Sequence, residues 1–301
     1  MGSVGDKHAF LIIAHGHFSI LKKLLIMLDD PRNDIYLHID KHVKQFDFEG
    51  LERLVKRAGL FFTPRIKVYW GHSSQVDCEL LLLGECLKRG NYAFVHLISG
   101  VDLPIKTQDE IHAFFDAHPD TQFLQVGDAS VAMKRLEQYH FFMSLRHIHM
   151  RIREIADVIV NAVIGLFHGT LHFNRLSKQK ELVVVKTANW FSVTGECAEY
   201  IYSRRDFIRK LTRYTVCADE MFLGTVLYPS KYWEQVYVRE QSWEGHMRYI
   251  DRIRCVGASP HTFTMDDRES IDSSKMLFAR KFDENVDSEI IEYVFKKYNT
   301  I

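Results

Sequence analysis

Residues 91–111 read NYAFVHLISGVDLPIKTQDEI and contain the clearest fold signal in the chain. The run NYAFVHLIS (91–99) predicts a strand that is buried on both faces, as strands of parallel sheets are. This strand ends at Ser99 and Gly100, and the pattern Thr107-Gln-Asp-Glu110 is the capping box with which many helices begin. A buried strand followed closely by a capped helix predicts an α/β fold.

The residues upstream alternate short apolar runs with amphipathic segments. In chain order, the predicted elements are HAFLIIA (8–14), a helix near 19–28, DIYLHID (34–40), a helix within 49–57, and IKVYW (66–70). A further helix is predicted between an S-x-x-D start at Ser74 and a basic end before Gly90. This alternation predicts a mostly parallel central sheet flanked by helices, with a Rossmann-like nucleotide-binding N-terminal half.

The pattern returns downstream of a segment without a clear period. Residues 131–180 are rich in His, Arg and aromatic side chains and predict helices and loops. Two strands are predicted next, at LVVVK (182–186) and NWFSVT (189–194). Thr194 is a predicted helix cap, ADEMFLGTVL (218–227) a predicted helix start, and 287–298 a predicted C-terminal helix.

Composition excludes several classes of protein. With 301 residues, 47% of them hydrophobic, the chain can bury a large core. Lys plus Arg and Asp plus Glu both total 39, so no nucleic-acid partner is expected and any phosphate site must be local. The five cysteines form no CxxC pair, which argues against a zinc knuckle or a full disulfide framework and fits a reducing compartment.

Two segments bear on membranes. Because a strand is predicted from His8, the polar leader 1–7 leaves no room for a signal peptide or a membrane anchor. The longest apolar run, 155–167, is interrupted by Asp157 and Asn161 and is too short to span a bilayer. It predicts a helix packed into the protein, with an interfacial helix beside a membrane acceptor as the alternative.

Polar residues follow the predicted strands where each strand ends. They are His15, His38, Asp40, Gly71, His72, Ser99, Gly100 and Asp102. An aspartate at such a strand end can accept hydrogen bonds from a ribose or uracil, and N–H groups of the following loops can face a pyrophosphate. Each residue alone is equally typical of turn chemistry or helix capping, so the signal lies in the group.

The usual phosphate-binding motifs are absent from the sequence. No G-x-G-x-x-G follows the first strand, and no G-x-x-x-x-G-K-[ST] occurs, which argues against a Rossmann dehydrogenase and a P-loop NTPase. There is also no D-x-D, so no seat for a divalent ion on a diphosphate is evident. Arg280 and Lys281 could instead offset the charge of a diphosphate leaving group, although such a pair is also typical of surface charge.

Glu220 follows Cys217-Ala218-Asp219 at a predicted helix start. One interpretation is an acid placed favourably on the N-terminal helix dipole. The other is a general base that removes the proton from an attacking hydroxyl. The spacing alone leaves both interpretations open.

Several motifs together resemble glycosyltransferase family 14. They are VYWGHSSQVDCELLLL, VHLISGVDLPIKTQDEI, NWFSVT, ADEMFLGTVL and FARKFD, and the resemblance extends from about residue 8 to 283. The family contains the core-2/I-branching β-1,6-N-acetylglucosaminyltransferases and the peptide O-xylosyltransferases. The resemblance implies a GT-A-like fold without the D-x-D, and inversion at the anomeric carbon without a metal.

The resemblance also assigns roles to residues. It implies that Glu220 is the catalytic base, that Lys281 with its neighbour Arg280 holds the UDP diphosphate, and that Asp40 binds the nucleoside. The positions that would line the uridine are Ala14, His15, Tyr69 and Trp70. A second diphosphate arginine is expected upstream of Lys281; Arg248 ranks ahead of its competitors Arg252 and Arg254. Asp102 joins the nucleotide-binding set as one of the polar residues at the strand ends.

The expected function is transfer of a sugar, with N-acetylglucosamine favoured, from a UDP-sugar to the hydroxyl of a carbohydrate or glycolipid acceptor. No cofactor beyond the UDP-sugar co-substrate and no divalent metal is expected. The alternatives are xylosyl transfer from UDP-xylose, a non-catalytic sugar-nucleotide-binding relative, and a glycoside hydrolase. For the hydrolase, Asp219 cannot be the second carboxylate if it shares a helix start with Glu220, because neighbouring side chains point apart.

The expected organisation is one domain over 1–301. It would consist of a nucleotide-sugar-binding half at 8–126, a variable helical segment at 131–180, and an acceptor and catalytic half at 181–301. Animal members have a membrane anchor and a cysteine pattern that this sequence lacks, and 131–180 matches no known motif. We therefore expect a cytoplasmic enzyme of surface polysaccharide synthesis, in peripheral contact with the inner face of the membrane.

Overall fold

A central sheet organises the fold in the computed structural model, which describes residues 5–143, 150–167, 174–177, 181–257 and 259–300. The strands of these residues are β1 His8–Ala14, β2 Asn33–Ile39, β3 Gly59–Phe62, β4 Phe94–Ser99, β5 Leu103–Pro104, β6 Phe123–Gly127, β7 Lys186–Thr194, β8 Arg248–Ile250 and β9 Phe278–Arg280. The α-helices are α1 Phe18–Met27, α2 Phe48–Glu52, α3 Ser74–Leu87, α4 Gln108–Asp116, α5 Ala129–Glu137, α6 Met150–Phe167, α7 Gly195–Ser203, α8 Arg205–Thr212, α9 Phe222–Leu227, α10 Lys231–Glu234, α11 Arg268–Ser273 and α12 Ser288–Tyr298. Short 3-10 helices lie at Ala218–Glu220 and Met265–Asp267.

The central sheet has six strands in the order β3-β2-β1-β4-β7-β6. Strands β1 to β4 are parallel, and β7 runs antiparallel to both of its neighbours, β4 and β6. Strands β5, β9 and β8 form a small second sheet. The predicted α/β fold with a mostly parallel, helix-flanked sheet is thus confirmed.

Both faces of the central sheet are buried, which explains the continuous apolar runs. In β1, Phe10 and Ile12 belong to one core with side chains of α1 and α12. Ala9 and Leu11 point to the opposite core, which includes side chains of α3, α7 and α9. This alternation follows from the two-residue period of a strand.

The third strand lies earlier in the chain than predicted. Strand β3 covers 59–62, and the predicted 66–70 strand is a loop, so that prediction is wrong. Burial lowers the pKa of His38 to about 4, and the neutral ring accepts a hydrogen bond at Nε2 from Ile66 N at 3.1 Å. Tyr69 N donates to Ser74 Oγ at 2.9 Å. These side-chain bonds replace the ladder bonds that a strand would make.

Downstream, residues 182–185 are not a strand, and β7 begins at Lys186, so one strand replaces the two predicted. Val185 N donates to Thr225 Oγ1 at 3.1 Å instead of to a neighbouring strand. Two predicted caps are correct: Thr107 and Glu110 form a reciprocal capping box, and Thr194 accepts from Cys197 N. The predicted cap at Ser74 is wrong, because Ser74 lies inside α3 and its hydroxyl accepts from Tyr69 N instead of from the helix. The division into functional halves and the GT-A assignment stay predictions.

Helix α6 confirms a helix over the apolar run but contradicts its predicted packing. Ile155, Val158, Ile159 and Leu166 are each more than half exposed, so the interpretation as a packed helix is wrong. No helix within the described ranges is both long and apolar enough to cross a membrane.

Arg248 is the first residue of β8, and its buried side chain reaches backbone carbonyls of β4 and β7. Its Nη2 donates to Leu97 O at 3.2 Å and Phe191 O at 2.6 Å, and its Nη1 donates to His246 O. The side chain is fully buried, which lowers its pKa to about 9 while the nearby Asp102 carboxylate acts in the opposite direction. The sequence predicted that Arg248 binds the diphosphate. Its guanidinium instead donates to backbone carbonyls of the core, so Arg248 is left out of the proposed diphosphate site.

We expect Arg248→Met to lower the free energy of unfolding by about 3 kcal/mol or more, because it leaves the buried carbonyls of Leu97, Phe191 and His246 without their donor. The matched control is Arg252→Met, at an exposed position, for which a change within about 0.5 kcal/mol is expected. Urea unfolding followed by circular dichroism measures both. If the two variants were equally stable and only Arg248→Met lost UDP binding, Arg248 would be a ligand of the diphosphate after all.

Candidate active site

The carboxyl ends of β1, β2 and β4 meet at one edge of the sheet. Asp40 N donates to Ala14 O at 2.9 Å, and Gly100 N donates to Ile13 O at 2.9 Å. A Cβ at Gly100 would lie 2.8 Å from the Cβ of Ala14, so this close approach requires glycine. The edge at which nucleotides bind in open α/β sheets is therefore built from the predicted residues.

Asp40, Tyr69 and Trp70, predicted to contact the nucleoside, are connected through His42. The Asp40 carboxylate is nearly buried and accepts from the N and Nδ1 of His42, both at 2.8 Å. The His42 ring meets the Tyr69 ring edge to face at 4.9 Å. Trp70 follows with 62% of its surface exposed, and His15 is also exposed. Aromatic surface next to a carboxylate suits a base and a ribose.

Asp102 and Arg280 form a buried ion pair at the end of β4. Asp102 Oδ2 accepts from Ser99 N at 2.9 Å, and Oδ1 accepts from Ser99 Oγ at 2.8 Å and from Arg280 Nη1 at 2.7 Å. The Arg280 guanidinium lies 4.6 Å from the centre of the Trp190 ring. The Asp102 carboxylate is thus satisfied by protein groups and reaches a ligand only through Arg280.

Lys281 is the cation that this pair leaves available. Phe282 N donates to Val101 O at 3.1 Å, which holds the Lys281 backbone against the loop after β4. Its side chain is half-buried, and in the described part of the chain its ammonium makes no hydrogen bond or ion pair. An unpaired ammonium beside a strand end can bind a diphosphate.

The other two arginine candidates differ in their contacts. Arg254 is paired with Asp251 and Asp267, each at 2.6 Å. Arg252 is exposed and lies 5.9 Å from the Trp243 ring. The guanidinium of Arg254 is therefore already neutralised by two carboxylates, whereas Arg252 has no carboxylate partner among the described residues.

Glu220 ends the 3-10 helix Ala218–Glu220. Cys217, with φ 50°, opens this helix and donates its N–H to Gly71 O at 2.8 Å, which brings the helix to the loop that carries Trp70. Glu220 Oε2 contacts Arg135 Nη1 at 2.8 Å and Lys186 Nζ at 3.7 Å. No described residue donates a hydrogen bond to Oε1. Two cations thus hold one carboxylate oxygen, and among the described residues none donates to the other.

Two buried carboxyl groups lie behind Glu220. Asp219 Oδ2 accepts from Gln75 Nε2 at 3.1 Å, and Gly71 N donates to the Gln75 amide oxygen. Burial, and secondly the Glu220 charge, raise the pKa of Asp219 to about 7. Glu79 is fully buried with no hydrogen bond to either oxygen, and burial, then Asp219, raise its pKa well above the usual range. Burial therefore favours the protonated form of Glu79.

Sequence reasoning missed Arg135, Lys186, Trp190 and the buried Glu79. Lys186 starts β7, and only the antiparallel direction of that strand places it at the carboxyl edge of its parallel neighbours. Arg135 lies in α5, within the segment that has no clear period. Lys186, the basic last residue of the predicted strand 182–186, was the available signal.

A possible cation site lies next to Lys281 in the chain. Ligand atoms of His17, Asp283 and Glu284 all lie within 4.8 Å of one another, and His17 Nδ1 is 2.7 Å from Glu284 Oε2. Partly exposed acidic groups of this kind are common without an ion. The trio nevertheless makes metal dependence a question for experiment.

Comparisons with known proteins identify relatives. The sequence profile described as Core-2/I-Branching enzyme matches residues 8–275. Xylosyltransferase 2 of Canis lupus familiaris and that of Homo sapiens are each 26% identical over 308 residues, covering 94% of this chain and 33% of the relative. Xylosyltransferase 1 of Canis lupus familiaris is 24% identical over 304 residues, covering 94% and 30%. The chain thus spans about a third of the length of these relatives.

Among solved structures, 4-diphosphocytidyl-2C-methyl-D-erythritol synthase from Anaerococcus prevotii is similar with a TM-score of 0.38 and 11% identity. The match covers 79% of this chain and 92% of that one. A similarity this distant supports no argument about function.

We expect Asp219→Asn to change how stability depends on pH. The folded-state pKa of about 7 exceeds the ordinary 3.8, so the folded protein binds the extra proton and the wild type loses stability as pH rises from about 4 to about 7. The unfolding free energy of the variant relative to wild type should therefore rise by roughly 3 kcal/mol over that interval. Urea unfolding at a series of pH values measures it, and parallel curves would show that Asp219 is ionised throughout.

Proposed function

Because the chain belongs to the Core-2/I-branching enzyme family, which is glycosyltransferase family 14, we propose that it is an inverting, metal-independent glycosyltransferase. The proposed reaction moves N-acetylglucosamine from its UDP donor to a carbohydrate hydroxyl. The supporting observation is Glu220, whose Oε2 is held by Arg135 and Lys186 while Oε1 is open. That geometry suits a general base fixed in direction before the acceptor arrives.

In the proposed step, Glu220 takes the proton of the acceptor hydroxyl as its oxygen attacks the anomeric carbon. The bond from that carbon to the diphosphate oxygen breaks, and UDP leaves with the electron pair from the opposite face. An α-linked donor therefore gives a β-linked product. Lys281 would bind the diphosphate and offset the charge that grows on it.

Arg280 would act as a positioning residue. Its guanidinium is committed to Asp102 and lies against Trp190, so it fixes the peptide that carries Lys281. Asp40, with Tyr69 and the exposed Trp70, would receive the uridine, beside Ala14 and His15 of the loop after β1. The proposed acceptor side is the region of Lys186 and Arg135, beyond Glu220.

We expect Glu220→Gln to lower the rate of transfer by about 10² to 10⁴-fold, since a general base acts on the chemical step. UDP affinity should change little, because the amide keeps the size of the side chain. The exposed Glu240→Gln is the matched control and should keep wild-type transfer. Transfer by Glu220→Gln near the wild-type rate, measured as UDP release with acceptor, would remove Glu220 from the mechanism.

We expect the rate of sugar transfer to be unchanged after dialysis against EDTA. We also expect Lys281→Met to raise the Kd for UDP about tenfold or more, because a charged partner of the diphosphate is lost. The exposed Lys275→Met is the control for general charge effects. Calorimetry with UDP and an activity assay measure the two effects. Loss of transfer in EDTA with recovery in Mn²⁺ would move the diphosphate site to a metal, for which His17, Asp283 and Glu284 would be the ligands to mutate.

Xylosyl transfer is the second candidate, since the matched relatives are xylosyltransferases. UDP release with UDP-N-acetylglucosamine and with UDP-xylose, over one set of carbohydrate acceptors, separates the two donors. UDP binding without release from either donor would favour a non-catalytic sugar-nucleotide-binding protein. We further propose that the acceptor belongs to a surface polysaccharide or glycolipid that the enzyme meets at the inner face of a membrane.

A further inference from the structure

Helix α6 presents two polar residues, Asp157 and Asn161, to the protein. Asn161 Oδ1 accepts from Tyr139 N at 2.8 Å, and Asn161 Nδ2 donates to Tyr139 O at 2.7 Å. One turn earlier, Asp157 Oδ1 accepts from Phe141 N at 3.0 Å. Both side chains are buried, at 6% exposure for Asp157 and 8% for Asn161. The helix is therefore attached to the extended segment 139–141 by hydrogen bonds rather than by an apolar face.

The opposite face of α6 is apolar and exposed. Of the 17 exposed large hydrophobic side chains in the described residues, seven lie on this helix: Ile152, Ile155, Val158, Ile159, Val163, Leu166 and Phe167. Most follow one another at spacings of three or four residues, so they form one stripe along the helix. A helix on the surface of a water-soluble protein has the reverse arrangement, and a continuous apolar stripe of this length marks a contact surface.

Basic residues surround this stripe in the sequence. Arg146, Arg151 and Arg153 precede or open the helix, and Lys178 and Lys180 follow it. The helix has one exposed acid, Glu154, since Asp157 is turned inward. The chain as a whole has no net charge, so this excess is local. The stretch 146–180 holds six basic and two acidic residues, so this stretch of a second copy would be repelled, whereas an anionic lipid surface would attract it.

We propose that α6 is an interfacial helix that docks the protein on an anionic lipid bilayer. Its 18 residues span roughly 27 Å and lie along the bilayer surface, with the apolar stripe at the boundary of headgroups and acyl chains. The helix does not cross the bilayer. Docking is independent of the proposed chemistry, and either can fail without the other.

The attachment of α6 connects the helix to the candidate site. Segment 139–141 follows α5, which carries Arg135, and Arg135 contacts Glu220 at 2.8 Å. His140 N also donates to Tyr214 O at 2.8 Å, three residues before Cys217. Helix α6 is thus connected to Glu220 through segment 139–141, α5 and Arg135.

Sedimentation of the full chain with vesicles tests the proposal. The vesicles are phosphatidylcholine alone or phosphatidylcholine mixed with phosphatidylglycerol. The helix variant combines Ile155→Gln and Leu166→Gln, which keep helix propensity. The matched control combines Ile253→Gln and Val256→Gln, exposed apolar positions away from α6. Circular dichroism and UDP release to a soluble acceptor verify that both variants fold.

The wild type and the control should bind the anionic vesicles, more weakly as salt is raised. The helix variant should lose about tenfold or more in partition constant, since each apolar side chain moved out of water changes such a constant roughly tenfold. Equal binding by helix variant and control, or no binding by the wild type, overturns the proposal. Light scattering that shows a wild-type dimer and a monomeric helix variant would also overturn it, because a second copy would then cover the stripe.

Discussion

The candidate site depends on the buried carboxylate of Asp102. It accepts hydrogen bonds from the Ser99 backbone and hydroxyl at the end of β4, and it pairs with Arg280 at the end of β9. It also lies close enough to the buried Arg248 to oppose the lowering of that group's pKa by burial. One anion thus ties the central sheet to the small sheet. Breaking such a pair by removing one partner costs about 3 to 5 kcal/mol, so the position of Lys281 is well determined.

Charge around Glu220 is arranged by depth. At the surface, Arg135 and Lys186 face its carboxylate, while Glu79 and Asp219 behind it are buried and favour their neutral forms. A protonated carboxyl adds no repulsion, so the buried pair can fill space behind the base without opposing its ionised state. Gln75 links Asp219 to Gly71 and hence to the Trp70 loop, so Glu220 and the Trp70 loop share one support.

The sequence predicted the fold where local signals agreed with the tertiary structure. The run at 94–98 is a buried parallel strand, and Thr107 and Thr194 cap helices as expected. Prediction failed at 66–70, where His38 and Ser74 side chains take the backbone hydrogen bonds of a segment with strand-like composition. It failed at α6 because an apolar period shows that one face avoids water but not what that face meets. Prediction failed for Arg248 for a similar reason. Its position in the sequence suggested a diphosphate ligand, but its burial depends on Leu97 and Phe191, which lie far away in the chain.

A crystal structure of the chain with UDP tests the central claim most directly, because that claim is a spatial one: a base and a lysine on opposite sides of the bond that breaks. The account predicts the uridine beside Asp40 and Tyr69, and the diphosphate within hydrogen-bond distance, about 3 Å, of Lys281 Nζ. Glu220 Oε1 should face the space beyond the terminal phosphate. A diphosphate bound elsewhere, whether on Arg252 or on an ion held by His17, Asp283 and Glu284, would contradict the account.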